Sequence, residues 1–513
     1  MVFFPLAFLA RGVTAVGDEA TLFIQEYRVE GVHQLANAEV EAAVYPFLGP
    51  GRTQAEIEQA RAALEKAYHS RGWQTVAVQV PPQEVQDGVV VLQVVEAPVG
   101  RLRVTGAKYF SPVAIKSAAP TLAEGRVPNF NDVPADIIAL NQNPDRRVTP
   151  TLRAGTVPGT VDVDLEVQDS APVHASVELN NRSSPGTTAL RLNAAVRATN
   201  LWQLGHALGL SFQVAPERPS EAKVFSAYYL APLPGVDGAS LMLQGTRQDS
   251  NISTLGGAAV AGRGETFGPR VFFALPAGNG FYQSASAGFD YKHFDQDIVV
   301  AGTHVLSPVT YLPLSAAYNA GWTGPVVQTE LNAGVTFHLR GLGSRPAAFN
   351  TSRFGADGGF IYFRGDLAQT RELPGGFQLF TRAQGQVASG PLLSAEQFSA
   401  GGLGTARGYL EGETAGDNAL FGTIELRSPQ LAARAGLTGG DWRVYVFGDA
   451  GRETLHRPLP GQAAHFDLAS VGVGTRLRLG AHLNASLDAG LPLLDQTTRA
   501  GDLHLTFRVW ADY

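Results

Sequence analysis

The sequence predicts a membrane β-barrel of about sixteen antiparallel strands preceded by two small α+β domains. Three observations lead there. From residue 173 onward the chain is a succession of segments about ten residues long that alternate apolar and polar, the length and pattern of barrel spans. Residues 22–96 and 97–170 read as two copies of one β-α-α-β-β order. No window approaches the roughly 18–20 apolar residues of a spanning helix.

Composition bounds the rest. At 513 residues the chain has room for several domains. A formal charge of -7 and a pI near 5.9 argue against a nucleic-acid partner, which selects for a basic face. The absence of cysteine excludes disulfides, zinc–thiolate sites and thiol catalysis, and leaves the redox compartment open. Residues 1–15, "MVFFPLAFLARGVTA", combine an apolar run with small residues at Val13, Thr14 and Ala15, the pattern of a cleaved secretory signal.

In the first domain, residues 22–96, a strand near "YRVEGV" precedes a short helix from about Ala38 to Phe47. Thr53 and Glu56 then form a capping box for a longer helix with Ile57, Ala60, Leu64 and Ala67 on one face, stopped at Gly72. The strands "WQTVAVQV" and "VVVLQVVE" follow, joined by a turn at Asp87-Gly88. In the second domain, residues 97–170, "VGRLRVTGAKYF" begins as a strand and Ser111-Pro112 opens a helix. A second helix runs through "DVPADIIALN", and strands at "RRVTPTLRAG" and "TVDVDLEVQD" close the copy. In the last of these Val161, Val163, Leu165 and Val167 share one face and the acids the other. Two tandem copies of one small fold suggest a modular binding arm.

From residue 173 to 513 the helix signals disappear. In "VQTELNAGVTFHLRG", Val327, Leu331, Val335 and Phe337 oppose Gln328, Glu330, Asn332 and His338. Ser284, Ser286, Asp290 and Lys292 line one face of "FYQSASAGFDYKH". Val471, Val473, Leu477 and Leu479 oppose Arg476 and Arg478, and Leu503, Leu505, Phe507, Val509 and Tyr513 oppose His504, Thr506, Arg508 and Asp512. A soluble sandwich also alternates, but this run of strands is too long for one sandwich and has no helices to cover it. Closure into a barrel removes edges that lipid cannot satisfy, and the polar face then lines a wet lumen.

One stretch stands apart. "TARGYLEGETAGDN", residues 405–418, sets Arg407 in a glycine-containing loop with no local counter-charge of obvious purpose. In "DWRVYVFGDAGRE" the alternation turns Trp442, Val444 and Val446 to lipid and Arg443, Tyr445, Phe447 and Asp449 to the lumen. Asp449 is thus a candidate to receive Arg407 bidentately, with Gly404, Gly408 and Gly412 letting the loop fold back. The same letters also suit a hairpin turn at "GDAG" and an ordinary surface loop, and spacing alone leaves both readings open. Glu411 and Glu413 read as solvated carboxylates of a mobile loop.

The segment "ARGYLEGETAGDNALFGTIELRSP" closely resembles the [VA]RGY loop of two-partner secretion transporters, the TpsB (ShlB/FhaC/HecB-like) type of the BamA-like outer-membrane superfamily. "NQNPDRRVTPTLRAGTVPGTVDVDLEVQDSAP" resembles the end of that family's second POTRA domain. "VELNNRSSPGTTALRLNAAVRATNLWQLG" and "LDAGLPLL" resemble its first and penultimate barrel strands. The resemblance implies that Arg407, Gly408 and Tyr409 belong to a loop inside the barrel. It implies that Phe447, Asp449 and Gly451 form the F-x-D-x-G motif whose Asp meets the arginine. Ala406 stands where the family usually has Val, and Tyr513 where it usually ends in Phe. Phe507, Val509 and Tyr513 then form the C-terminal signal by which barrel-assembly machinery inserts the protein among outer-membrane lipid.

The implied function is a pore in the outer membrane of a Gram-negative bacterium, with both POTRA domains in the periplasm. It would export a secreted partner of the adhesin or haemolysin type in extended form. No GxxxxGK[ST] phosphate loop is present, and export driven by folding outside needs no ATP. Among alternatives, a barrel-assembly factor of the same superfamily would tend to carry more POTRA repeats, and a solute porin would lack them. An enzyme is disfavoured: His206, His293, His338 and His482 lie in separate segments and read as lumen or loop residues, and no HExxH or GxSxG occurs. No metal or cofactor is assigned.

Overall fold

The computed structural model describes residues 21–513 apart from 237, 254–259, 301–302 and 438, so the predicted signal at 1–15 lies outside the described residues. The chain divides into two compact units, residues 1–171 and 172–513.

The first unit contains the two predicted copies. In the first, Glu26–Glu30 runs parallel to the central strand Val89–Glu96, whose other edge pairs antiparallel with Val76–Gln79. Helices Asn37–Val44 and Gln54–Ser70 supply the second layer. The Thr53/Glu56 capping box is present, and Ile57, Ala60 and Leu64 are buried with Tyr68 against Val90, Leu92 and Val94. A small pairing of Leu22–Ile24 with Gly49–Arg52 was not foreseen, because "GPGR" carries no alternation.

The second copy repeats this. Val99–Thr105 lies parallel to the central strand Val161–Asp169, with Arg146–Ala154 antiparallel on the other side. Ser111 Oγ accepts from the Ala114 N–H at the start of helix Pro112–Ser117, and Val133–Leu140 forms the second helix. Val163, Leu165 and Val167 are buried as predicted. On the opposite face Asp164 is buried too, paired with Arg103 at 2.8 Å and with Arg153.

The two copies agree in detail. Gly31 (φ +84°) and Gly106 (φ +83°) each follow the first strand, where a Cβ would strike the carbonyl of Val94 or Val167. Two residues beyond those valines come Glu96 and Asp169. The Glu96 carboxylate accepts from the N–H groups of His33 and Gln34, both at 2.8 Å, and from Tyr68 Oη at 2.9 Å. Asp169 accepts from the N–H groups of Lys108, Tyr109 and Phe110 at 2.9–3.1 Å. In both, a carboxylate at the end of the central strand closes the loop leaving the first, satisfying donors that have no ladder partner.

The second unit is a closed antiparallel barrel. Eighteen strand segments reduce to sixteen strands, because Val260–Ala274 pairs with both Phe281–Phe289 and Tyr291–Val300. These two segments are halves of one seventh strand, broken at Asp290. Thr303–Tyr311 and Leu314–Thr323 pair with the same two halves and form the eighth. Residues on the predicted lipid face are exposed, among them Val446, Val473, Leu505, Val509 and Tyr513. The seam joins the last strand, His504–Asp512, to the first, Val173–Asn180. Its ladder covers only Arg508–Asp512 against Ser176–Asn180, but Asn181 extends it: Nδ2 donates to the Leu505 carbonyl and Oδ1 accepts from the Phe507 N–H, both at 2.7 Å. Arg508 adds an ion pair to Glu178 at 2.7 Å.

Candidate functional site

The chain between the eleventh strand (Gln378–Ala388) and the twelfth (Asn418–Arg427) does not stay outside the cylinder. The carbonyl of Gly404 accepts from Gln384 Nε2 at 2.6 Å, on a side chain projecting from the barrel wall. Further along, Arg407 is 5 % exposed. Its Nε and Nη2 donate to Oδ2 and Oδ1 of Asp449, each at 2.9 Å, and its backbone N–H donates to Oδ2 at 3.1 Å. The guanidinium lies 3.6 Å from the centroid of the Phe447 ring. That face contact adds a cation–π attraction to a bidentate, orientation-fixing pair.

The anchor is larger than one pair. Arg407 Nη1 donates to Glu425 Oε2 at 2.6 Å and lies 3.8 Å from Asp488 Oδ1. Glu425 in turn accepts from Arg427 at 2.6 Å and pairs with Arg476 at 3.2 Å, while Tyr445 Oη donates to Asp488 at 2.7 Å. Three arginines meet three carboxylates, so the cluster balances its charge internally. This is the condition under which buried ions are tolerated. Glu425 and Asp488 were missed in the sequence. Their lumen-facing parity is legible in each strand, but not which strands stand beside the returning loop.

Each residue of the two motifs has a physical task. Gly408 leaves no space for a side chain: a Cβ there would lie 2.8 Å from Ser470 Cβ and from Pro492 N. Tyr409 is fully buried, its hydroxyl 2.8 Å from the Leu494 carbonyl and 3.1 Å from that of Ala469. In the strand motif Phe447 underlies the guanidinium and Asp449 binds it. Gly451 makes room for Phe421, whose ring stacks on Phe398 of the loop at 5.7 Å.

The expectation that Glu411 and Glu413 are solvated is overturned. Glu411 is 6 % exposed and pairs with Arg182, just beyond the first strand, at 2.6 Å. Glu413 accepts from the N–H and hydroxyl of Thr498 and from the N–H of Leu410. A loop folded into a lumen finds donors that a solvent-exposed one does not. Of the C-terminal residues, Val509 and Tyr513 face outward, and Tyr513 continues the seam by exchanging backbone hydrogen bonds with Ala175. Among the histidines, His338 is buried beside Phe349 and Phe360, His206 and His293 sit on strands, and His482 occupies a turn. Among the described residues no group of three or more His, Asp or Glu is arranged to hold a metal.

Comparison with known proteins gives this arrangement its context. Residues 159–477 match the family model described as haemolysin secretion/activation protein ShlB/FhaC/HecB, and residues 22–97 match the ShlB-type POTRA domain. The outer membrane transporter CdiB of Escherichia coli is 24% identical over 197 residues, 38% of this chain and 33% of that protein. CdiB of Dickeya dadantii is 24% identical over 179 residues, 35% of this chain and 31% of that protein. The chain thus spans about a third of the length of the curated relatives it matches. Among solved structures, CdiB from Escherichia coli superposes with a TM-score of 0.63 at 20% identity, over 98% of this chain and 93% of that one. BamA from Haemophilus ducreyi lacking POTRA domains 1–3 gives 0.59 at 15% identity, over 96% and 100%. These two likenesses concern the fold.

Proposed function

The chain belongs to the ShlB/FhaC/HecB family of haemolysin secretion/activation proteins, and from that premise we propose that it exports one extended partner protein through its lumen by two-partner secretion. The barrel sits in the outer membrane and the POTRA domain in the periplasm. In this reading residues 97–170 are a second POTRA domain, a view supported by the shared glycine and carboxylate positions of the two copies. Both offer strand edges to which an extended segment can add as a further strand. The partner, of adhesin or haemolysin type, then passes along the polar wall and folds outside, and that folding draws the rest forward without ATP.

The observation that carries the proposal is the buried seating of Arg407 on Asp449. A passive pore gains nothing from holding a loop inside its own lumen by a charge-balanced anchor. A transporter that must keep the route sealed and still open it for one chain does. Removing one member of a buried ion pair costs about 3–5 kcal/mol, far more than an exposed pair is worth. Arg407→Ala and Asp449→Ala should therefore each abolish most export while the barrel stays inserted, measured as secreted partner against heat-modifiable barrel in outer-membrane fractions. Full export by both single variants removes the role.

A further inference from the structure

The same loop carries a second buried charge that neither motif includes. Glu396 is 1 % exposed. Its Oε1 accepts from Lys292 Nζ at 2.6 Å and from Tyr311 Oη at 2.7 Å, and its Oε2 accepts from Tyr362 Oη at 2.8 Å. These donors project from the seventh, eighth and tenth strands. Around them Leu392 and Leu393 of the loop are buried among Phe294, Val309 and Phe360. The Arg407 anchor uses the twelfth, thirteenth, fourteenth and fifteenth strands. Gln386 of the eleventh strand also donates to the Glu396 carbonyl at 3.2 Å, so the two ends of the loop are held by different, adjoining sectors of the wall.

The two ends differ in chemistry and are separated by a turn. One end places a cation among carboxylates, the other a carboxylate among an ammonium and two phenols, so neither end fits the other's socket. Between them Gly401 (φ +105°) and Gly402 (φ +80°) occupy backbone regions that other residues rarely adopt. The turn itself belongs to the Arg407 end: the Gly402 N–H donates to the carbonyls of Ala406 and Tyr409, and Phe398–Ala400 pairs with Thr414–Gly416, which leaves Leu392–Glu396 outside this paired part of the loop.

We propose that Glu396 is a second anchor of the in-barrel loop, holding the Leu392–Glu396 segment against the wall on Lys292, Tyr311 and Tyr362, and that this end lets go during export while the Arg407 end stays seated. The role in export rests on the transport reading given above; the anchoring itself does not. The exported chain would pass through the space that Leu392 and Leu393 vacate when they leave their contacts with Phe294, Val309 and Phe360. Lys292, Tyr311 and Tyr362 are thus positioning residues for the loop.

The absence of cysteine allows a direct test on the full chain in detergent or lipid. Two single-cysteine reporters, Leu393→Cys beside Glu396 and Ala406→Cys beside Arg407, are scored for reaction with a water-soluble maleimide, and single-channel conductance is recorded in planar bilayers. Adding Glu396→Gln should raise the labelling rate at position 393 about tenfold or more, as expected when a buried ion pair loses its charge. It should also raise the open-channel frequency and leave position 406 protected. Tyr311→Phe combined with Tyr362→Phe, which keeps both rings, should act in the same direction and serves if Glu396→Gln does not assemble. Unchanged labelling and conductance overturn the anchor. Simultaneous exposure of positions 393 and 406 overturns the independence of the two ends. Neither readout uses a secreted partner, so a protein that behaves as expected here but exports nothing refutes the transport reading alone.

Discussion

Gly490 lies directly against the backbone of Arg407: a Cβ on this glycine would stand 2.6 Å from the Arg407 carbonyl oxygen and 2.8 Å from the Gly408 nitrogen. The fifteenth strand is therefore shaped to receive the loop. Gly490→Val should displace the seated backbone at an overpacking cost of about 1–3 kcal/mol. Export should fall about tenfold, with barrel heat-modifiability unchanged. Gly404→Val is the control, since a Cβ at Gly404 meets nothing within 4 Å. Equal loss in both variants would count against a specific seat at Gly490.

How far the sequence reached depends on whether a signal is local. The capping box at Thr53 and Glu56, the Pro112 helix start and the period-two alternation are written in neighbouring residues, and each was legible. Arg407 and Asp449 are 42 positions apart: alternation made Asp449 a candidate, spacing left the pairing open, and the family resemblance favoured it. Glu396 has donors 104, 85 and 34 residues away, with no motif to mark it. Glu411 and Glu413 were misread for the same reason: composition makes a loop look solvated, and only the walls around it make it buried.

Asp169 offers a test of the second copy. Its carboxylate takes three backbone N–H groups, and hydrogen bonds to a charged group contribute about 1.5–3 kcal/mol each when a donor would otherwise be stranded. Asp169→Ala should expose residues 106–111 to protease, whereas Asp169→Asn, which keeps one acceptor oxygen, should do so less. Glu96→Ala should loosen residues 31–34 of the first copy in the same way. Peptide mapping after limited proteolysis of the full chain separates the two sites, and cleavage at neither would contradict the shared role.

The helix Gln54–Ser70 should respond to acid. The Thr53 N–H and the Arg52 guanidinium hold the Glu56 carboxyl below its usual range. For a group whose folded value is depressed, the stabilising contribution is complete above the unfolded value near 4.3 and disappears as pH falls through the folded one. Amide exchange at residues 54–57 should accelerate, relative to the intrinsic rate, below about pH 4. Glu56→Gln keeps an acceptor for the capping box but cannot titrate, so its exchange should show no such step. A step of equal size in that variant would assign the effect to another group.

The seam decides between passage through the lumen and passage out through the wall. Ala175 and Tyr513 exchange both backbone hydrogen bonds, so the next pair, Ser176 and Asp512, is a non-hydrogen-bonded one. Such pairs bring Cα atoms to about 4.5 Å, within the range a disulfide spans. Because the chain has no cysteine, Ser176→Cys with Asp512→Cys introduces a single possible cross-link, scored by gel mobility before and after reduction. If the partner travels along the axis, the oxidised protein should export at the rate of the reduced one, because no strand has to separate. A barrel-assembly factor that templates other barrels at its edge would instead lose activity on oxidation and regain it on reduction. Reversible loss of export in the locked barrel would shift the route from the lumen to the seam. The Arg407 and Glu396 anchors would then shape the wall around an opening edge and would not hold a plug in the path.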